Sequence, residues 1–343
     1  MSYLSDFIKS NDLEIEPFTL AENKLHQDDH TDPAATEHMT TTKDKPKIEH
    51  IVISGGGATG FSFFGALKKT QSSNLWNQAD IKSIYATSSG AICAFLIALQ
   101  IEWDVIIHYF IHRPWQNIFK MDSHLLDYFN KRGILGRNVF QEMFDPLLKC
   151  KGVSSNITMQ ELFDYSGIEI HCFSTEINSF SLVDISHKTH PDLTIIDVIY
   201  CSASLPILFQ PFFINECVYV DGAILCNYPI YQCLHGQSAN PDSILGIRIS
   251  DAPLSIITTE YNLFDYLLQL FSSCIFRLGK LESKPINIKH EIVFKEYPDM
   301  ISIMNVMADS QKRKDLVLFG EQMAESFLDS FRTLVQSNQD TTE

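Results

Sequence analysis

Residues 51–60, Ile51-Val52-Ile53-Ser54-Gly55-Gly56-Gly57-Ala58-Thr59-Gly60, decide how the rest of the chain is read. A short β-branched apolar run closed by Ser54 and three glycines predicts a buried strand entering a tight turn. Phe61–Thr70 follows as a helix. A second strand, Ser83–Ala86, leads through Thr87-Ser88-Ser89-Gly90 into a strongly apolar helix over Ala91–Gln100. Trp103 to Lys151 reads as mostly helical, with breaks at Pro114, Gly133 and Pro146. Thr158–Tyr165 is a short helix in which Thr158 and Glu161 form a capping-box pattern. Strands are expected at Ile168–Thr175, Phe180–Ile185, Val218–Val220 and Ile244–Ile249, with a helix over Thr194–Ser202. This alternation predicts an α/β fold with a mostly parallel sheet covered on both faces.

Bulk properties remove several function classes. A chain of 343 residues, 45% hydrophobic and 20% charged, can build one large α/β core. A formal net charge of −16 argues against non-specific nucleic-acid binding. Lys312, Arg313 and Lys314 form a local basic cluster, read as a solvated helix start. The eight cysteines include no C-x-x-C pair, which argues against a zinc ribbon or a thioredoxin-like motif. Met1–Lys9 has no apolar signal core, and no apolar run reaches the ~18 residues of a membrane span. The expectation is a soluble protein of a reducing compartment, cytoplasmic or delivered into a host cytoplasm. Residues 1–47, with His26, His30 and His38, read as a disordered acidic leader. Residues 48–249 read as the core, 250–335 as a helical and strand extension packed on it, and 336–343 as a polar tail.

Three motifs carry chemistry. In Gly55–Gly60 the glycines let the backbone bend and bring N–H groups near an anion. That suits a pyrophosphate cradle of G-x-G-x-x-G spacing, or an oxyanion hole. A dinucleotide fold places an acid at the end of the second strand, whereas this strand ends at Ala86-Thr87-Ser88. Ser88, with Ala86 and Gly90 flanking, holds the strand–nucleophile–helix position of G-x-S-x-G. The same place suits a helix N-cap serine. Ser89 is adjacent but off the spacing. Asp221, followed by Gly222 and Ala223, ends a strand, where it serves as a catalytic carboxylate or as a turn aspartate.

The order and context of these motifs resemble the patatin-like phospholipase family over about Ile48–Ile249. Ser202-Ala203-Ser204-Leu205-Pro206, Phe209-Gln210-Pro211 and Asn227-Tyr228-Pro229 resemble the family's segments on either side of the aspartate. The resemblance implies a three-layer α/β/α fold with a mostly parallel central sheet. It implies a Ser–Asp dyad, with Ser88 as nucleophile and Asp221 as proton acceptor. The oxyanion hole falls on Gly55, Gly56, Gly57, Ala58, Thr59 and Gly60, supported by Ala86, Gly90, Gly222 and Ala223. It further implies a lipid ester as substrate and a transient membrane-surface contact, with no metal and no cofactor. Two positions depart from the family's pattern. Thr59 stands where Arg or Lys is usual, and Ala86 where Gly is usual, which puts rate and head-group preference in question.

Two rival readings remain. Ser88, Asp221 and His235 follow the chain order of a Ser–His–Asp hydrolase, although His235 also suits the end of a short helix. A catalytically silent lipid-binding module is the other. Downstream, Tyr261–Gly279 and Arg313–Phe331 read as amphipathic helices. In the first, Phe264, Leu267, Leu268, Phe271, Cys274, Ile275 and Leu278 share one face, opposite Asn262, Asp265, Gln269 and Ser272. That face is expected to pack on the sheet. The alternative is a surface helix in the lipid interface.

Overall fold

The protein is described here by a computed structural model covering residues 47–120, 125–250, 259–282, 286–295 and 302–340. All of the expected leader except Lys47 lies outside these residues. The chain opens with β1 (His50–Ile53), a 3-10 turn (Gly57–Thr59), α1 (Gly60–Ser72), β2 (Ser83–Thr87) and α2 (Ser89–Ala98). Next come α3 (Trp103–His112), α4 (Leu125–Lys131), β3 (Gly133–Leu135), α5 (Asn138–Cys150) and α6 (Met159–Ser166). β4 (Glu169–Glu176), β5 (Ser181–Ile185), α7 (Ile195–Ala203), β6 (Ile207–Phe209), β7 (Phe212–Ile214) and β8 (Cys217–Asp221) follow. A 3-10 turn (Gly222–Ile224), α8 (Ile230–Gly236) and β9 (Ile244–Ile249) complete the central part. The C-terminal part holds α9 (Leu263–Glu282), β10 (His290–Phe294), α10 (Ser302–Ala308) and α11 (Ser310–Asp340).

Parallel pairing runs β10-β9-β1-β2-β4, and antiparallel partners join at the β4 end. β1 is wholly buried because it pairs on both edges and is covered on both faces. On one face Val52 and Tyr85 pack against Ile230 and Cys233 of α8. Alternation of side chains turns Ile51 and Ile53 the other way, where α2 crosses β1 and β2. Nearly every residue of α2 is buried, as a helix apolar on all sides must be. These layers make the three-layer α/β/α architecture.

One register places the site. Along β4, Phe173 pairs with Thr87 of β2 and with Asp184 of β5, and the next residue, Ser174, pairs with Asp221 of β8 and Val183 of β5. A strand has two edges, so β5 occupies one while β2 and β8 divide the other. The end of β2 therefore meets the end of β8 head-on.

Several local expectations change in three dimensions. Gly133 opens a strand paired with β6. Pro146 lies inside α5, where burial of Phe140, Met143, Phe144 and Leu147 outweighs a lost backbone bond. The basic cluster is not a solvated helix start at its centre, because Arg313 is buried. Its guanidinium donates to the carbonyls of Ile111 and Arg113 at the end of α3, and of Val306 and Met307 at the end of α10. Two helix ends thus have their orphan carbonyls filled by one cation. The C-terminal extension supplies the edge strand β10 and packs α11 along α1. Helix α11 runs through 336–340, expected as polar tail.

Candidate active site

The turns after β1, β2 and β8 converge at one place. Ser88 sits between β2 and α2 at φ 54°, ψ −123°. A non-glycine residue held at positive φ is strained, and the surroundings must impose it. β2 imposes it from one side, pinned between β1 and β4. On the other side a Cβ at Gly90 would lie 2.6 Å from the Ile53 carbonyl oxygen, so only glycine lets α2 start this close. Ala86 is fully buried, pairing Ile53 and Cys172, so the alanine is accommodated in the strand.

The Ser88 hydroxyl makes no cap to α2. Its Oγ instead donates to Asp221 Oδ2 at 2.7 Å. Asp221 Oδ1 accepts the Ala223 N–H at 2.8 Å, and the Asp221 N–H donates to the Ser204 carbonyl at 3.1 Å. A Cβ at Gly222 would lie 2.1 Å from the Phe173 carbonyl oxygen, so β8 can end against β4 only with glycine there. Ser88 and Asp221 are both buried. Burial pushes the Asp221 carboxyl up to about 6, against the hydrogen bonds from Ala223 and Ser88 that lower it.

In the glycine loop the N–H of Gly55 donates to Asn227 O, that of Thr59 to Gly56 O, and that of Gly60 to carbonyls of its own turn. Among the described residues the N–H groups of Gly56, Gly57 and Ala58 make no hydrogen bond within the chain. The six-residue loop thus narrows to three available donors. It abuts Ser88, since a Cβ at Gly55 would lie 3.0 Å from Ser88 Cβ. Thr59 is fully buried with its hydroxyl unpaired.

Residues beside the three motifs, together with Thr87 of the second, hold them in place. Ser202 Oγ accepts the Ser88 N–H at 3.0 Å and donates to Phe173 O at 2.7 Å. Ser204, two residues on, holds Asp221, so the end of α7 grips both Ser88 and Asp221. Thr87 Oγ1 donates to Cys226 O, and Asn227 Nδ2 to Gly55 O. For Ser202, Ser204 and Asn227 the sequence signal was their place in segments flanking Asp221, which marks a region but not a contact. His235 stays outside. It is exposed, stacks on Tyr231 and bonds the Tyr231 carbonyl through Nδ1. His187 stacks on Phe163, and His190 bonds Thr189, both in a loop.

The chain is similar to several known proteins. The family model described as Patatin-like phospholipase matches residues 51–234. A protein of Invertebrate iridescent virus 6, named probable lipid hydrolase 463L, is 27% identical over 192 residues, 54% of this chain and 63% of that protein. The chain therefore spans under two thirds of that relative's length. An uncharacterised protein of Acanthamoeba polyphaga mimivirus is 25% identical over 243 residues, 68% of this chain and 78% of its own. The solved structure of VipD from Legionella pneumophila covers 83% of this chain and 67% of its own, at 15% identity and a TM-score of 0.49.

Proposed function

We propose that this chain, which belongs to the patatin-like phospholipase family, hydrolyses acyl esters of lipids of the phospholipid and lysophospholipid class through a Ser88–Asp221 dyad and an acyl-enzyme. The observation that carries the reading is the 2.7 Å hydrogen bond from Ser88 Oγ to a buried carboxylate. Serine is a weak nucleophile without a base. A carboxylate raised to about 6 is a stronger base than one in water, while still ionised at neutral pH. Asp221 Oδ2 takes the Ser88 proton as Oγ attacks the ester carbonyl. The N–H groups of Gly56, Gly57 and Ala58 receive the negative oxygen, and loss of one such donor typically lowers the rate ~10²–10³-fold. As the tetrahedral species collapses, the departing alcohol takes the proton from Asp221, leaving acylated Ser88. Water then gives a proton to Asp221 as it attacks the acyl carbonyl. Collapse returns that proton to Ser88 Oγ and frees the fatty acid.

No step needs a histidine or a metal. The test is labelling by a lipid-like fluorophosphonate, together with hydrolysis of a soluble short-chain ester. Wild type should label and turn over. Ser88→Ala should do neither while keeping its fold, and Asp221→Asn should turn over at least about 10³-fold more slowly. Robust hydrolysis by Ser88→Ala would refute the nucleophile. A wild type that binds lipid yet never labels or turns over would leave the silent module in its place.

A further inference from the structure

The expected face of α9 does not match the one it buries. Leu268, Gln269, Ser272 and Ile275 are buried, and Gln269, expected on the polar side, is only 1% exposed. Leu263, Tyr266, Leu267 and Leu270 are between 37% and 69% exposed, and Cys274 is exposed as well. These five recur at i, i+3, i+4, i+7 and i+11, so they form one stripe on the side opposite the buried residues. Among the described residues, four of the twelve large exposed hydrophobics lie within one eight-residue stretch of this helix, so the exposure is a patch rather than a scatter.

The position of the helix supplies the occupant. α9 packs on the Gly222–Ile224 turn, which directly follows Asp221, and on β6, which follows the α7 end that grips both dyad residues. The helix therefore lies next to the turn that follows Asp221, with its apolar stripe on the helix's outer side. Charge narrows the occupant further. The chain carries a net charge of −16, and no Lys or Arg occurs between Arg248 and Arg277. Neither nucleic acid nor an anionic membrane is attracted by such a surface. An uncharged apolar contact with a zwitterionic surface meets no such barrier.

We infer that the exposed stripe Leu263, Tyr266, Leu267, Leu270 and Cys274 docks the protein on zwitterionic membrane lipid, seating the dyad at the interface that holds its substrate. The choice of lipid as occupant rests on the lipid-hydrolase reading above. The stripe enters the acyl–headgroup boundary, and the ester reaches Ser88 from that boundary instead of through water.

The test compares wild type, Leu267→Gln/Leu270→Gln, and Leu318→Gln as an exposed-leucine control on α11. Each is measured for sedimentation with phosphatidylcholine vesicles, turnover on those vesicles, turnover of the soluble short-chain ester, fluorophosphonate labelling and melting temperature. The double variant should bind vesicles and turn them over about tenfold less well or worse. Its melting temperature, labelling and soluble-ester turnover should match wild type, and Leu318→Gln should match wild type throughout. As a second variant, Leu267→Trp should blue-shift its fluorescence on adding vesicles. Vesicle binding unchanged in the double variant would overturn the inference. So would binding that requires anionic lipid, or a wild-type dimer that the double variant dissolves without change in vesicle binding. Loss of labelling and ester turnover in wild type itself would instead count against the lipid-hydrolase reading, and is read separately.

Discussion

Asp221→Asn should make the protein more stable at pH 8 while removing its activity. The carboxyl is raised from 3.8 to about 6 by burial, so the native state holds its proton more tightly than the unfolded chain does. Between those two values the native state binds more protons, and stability falls as pH rises. Below about pH 4 both states are protonated and the penalty vanishes, whereas above about pH 6 it is complete. A shift of roughly two units at ~1.4 kcal/mol per unit gives about 3 kcal/mol of destabilisation in wild type at pH 8. Asparagine escapes it. Its oxygen can still accept the Ala223 N–H, and its amide can donate to Ser88 Oγ, so both atoms keep a hydrogen bond, with the Ser88 hydroxyl turned from donor to acceptor. Urea unfolding followed by the fluorescence of the buried Trp76, Trp103 and Trp115 reads the difference directly. The variant should be more stable by about 2–3 kcal/mol at pH 8 and by under about 1 kcal/mol at pH 4. A variant less stable than wild type at pH 8, or a gap that does not narrow on acidification, would refute the argument that Asp221 is held ionised at a cost.

The same carboxyl sets the pH–rate profile. It must be ionised to accept the Ser88 proton, so kcat/KM for a soluble ester should fall about tenfold per unit below about pH 6; a flat profile to pH 4.5, or a half-point moved by His235→Ala, would contradict this. Ser202→Ala frees the Ser88 N–H and the Phe173 carbonyl, so kcat should fall about tenfold or more with KM little changed, and Ser202→Thr should recover part of it; equal loss in both would assign Ser202 a packing role alone. Arg313→Leu leaves buried carbonyls at two helix ends without donors and should lower stability by roughly 3 kcal/mol or more, measured by urea unfolding. EDTA should leave ester turnover unchanged, since both reacting groups are side chains, and a loss restored by calcium would point to a metal requirement.

The chain's own sequence settled what local backbone chemistry can settle. The capping box at Thr158 and Glu161 forms in both directions, because it needs only residues three apart. The strand–turn–helix units around Gly55–Gly60, Ala86–Gly90 and Asp221–Ala223 were legible because each demands particular small residues at particular places. Those demands now have causes in the carbonyls that approach Gly90 and Gly222. What no local pattern could supply was the meeting of the three units. That depends on β4, whose edge is divided between β2 and β8 so that Thr87 and Asp221 fall at neighbouring register positions. Whether the Ser88 hydroxyl caps the helix or bonds elsewhere waited on the same meeting, since the arrival of Asp221 gives that hydroxyl its partner. Helical periodicity likewise told which residues of α9 share a side, but not which side the protein covers. Gln269 is buried and Leu270 exposed because burial is decided by the Gly222–Ile224 turn and β6, elements far back in the chain. Arg313 shows the same limit: a cation's place, surface or interior, is set by carbonyls two hundred residues away in the chain, and only folding brings them to it.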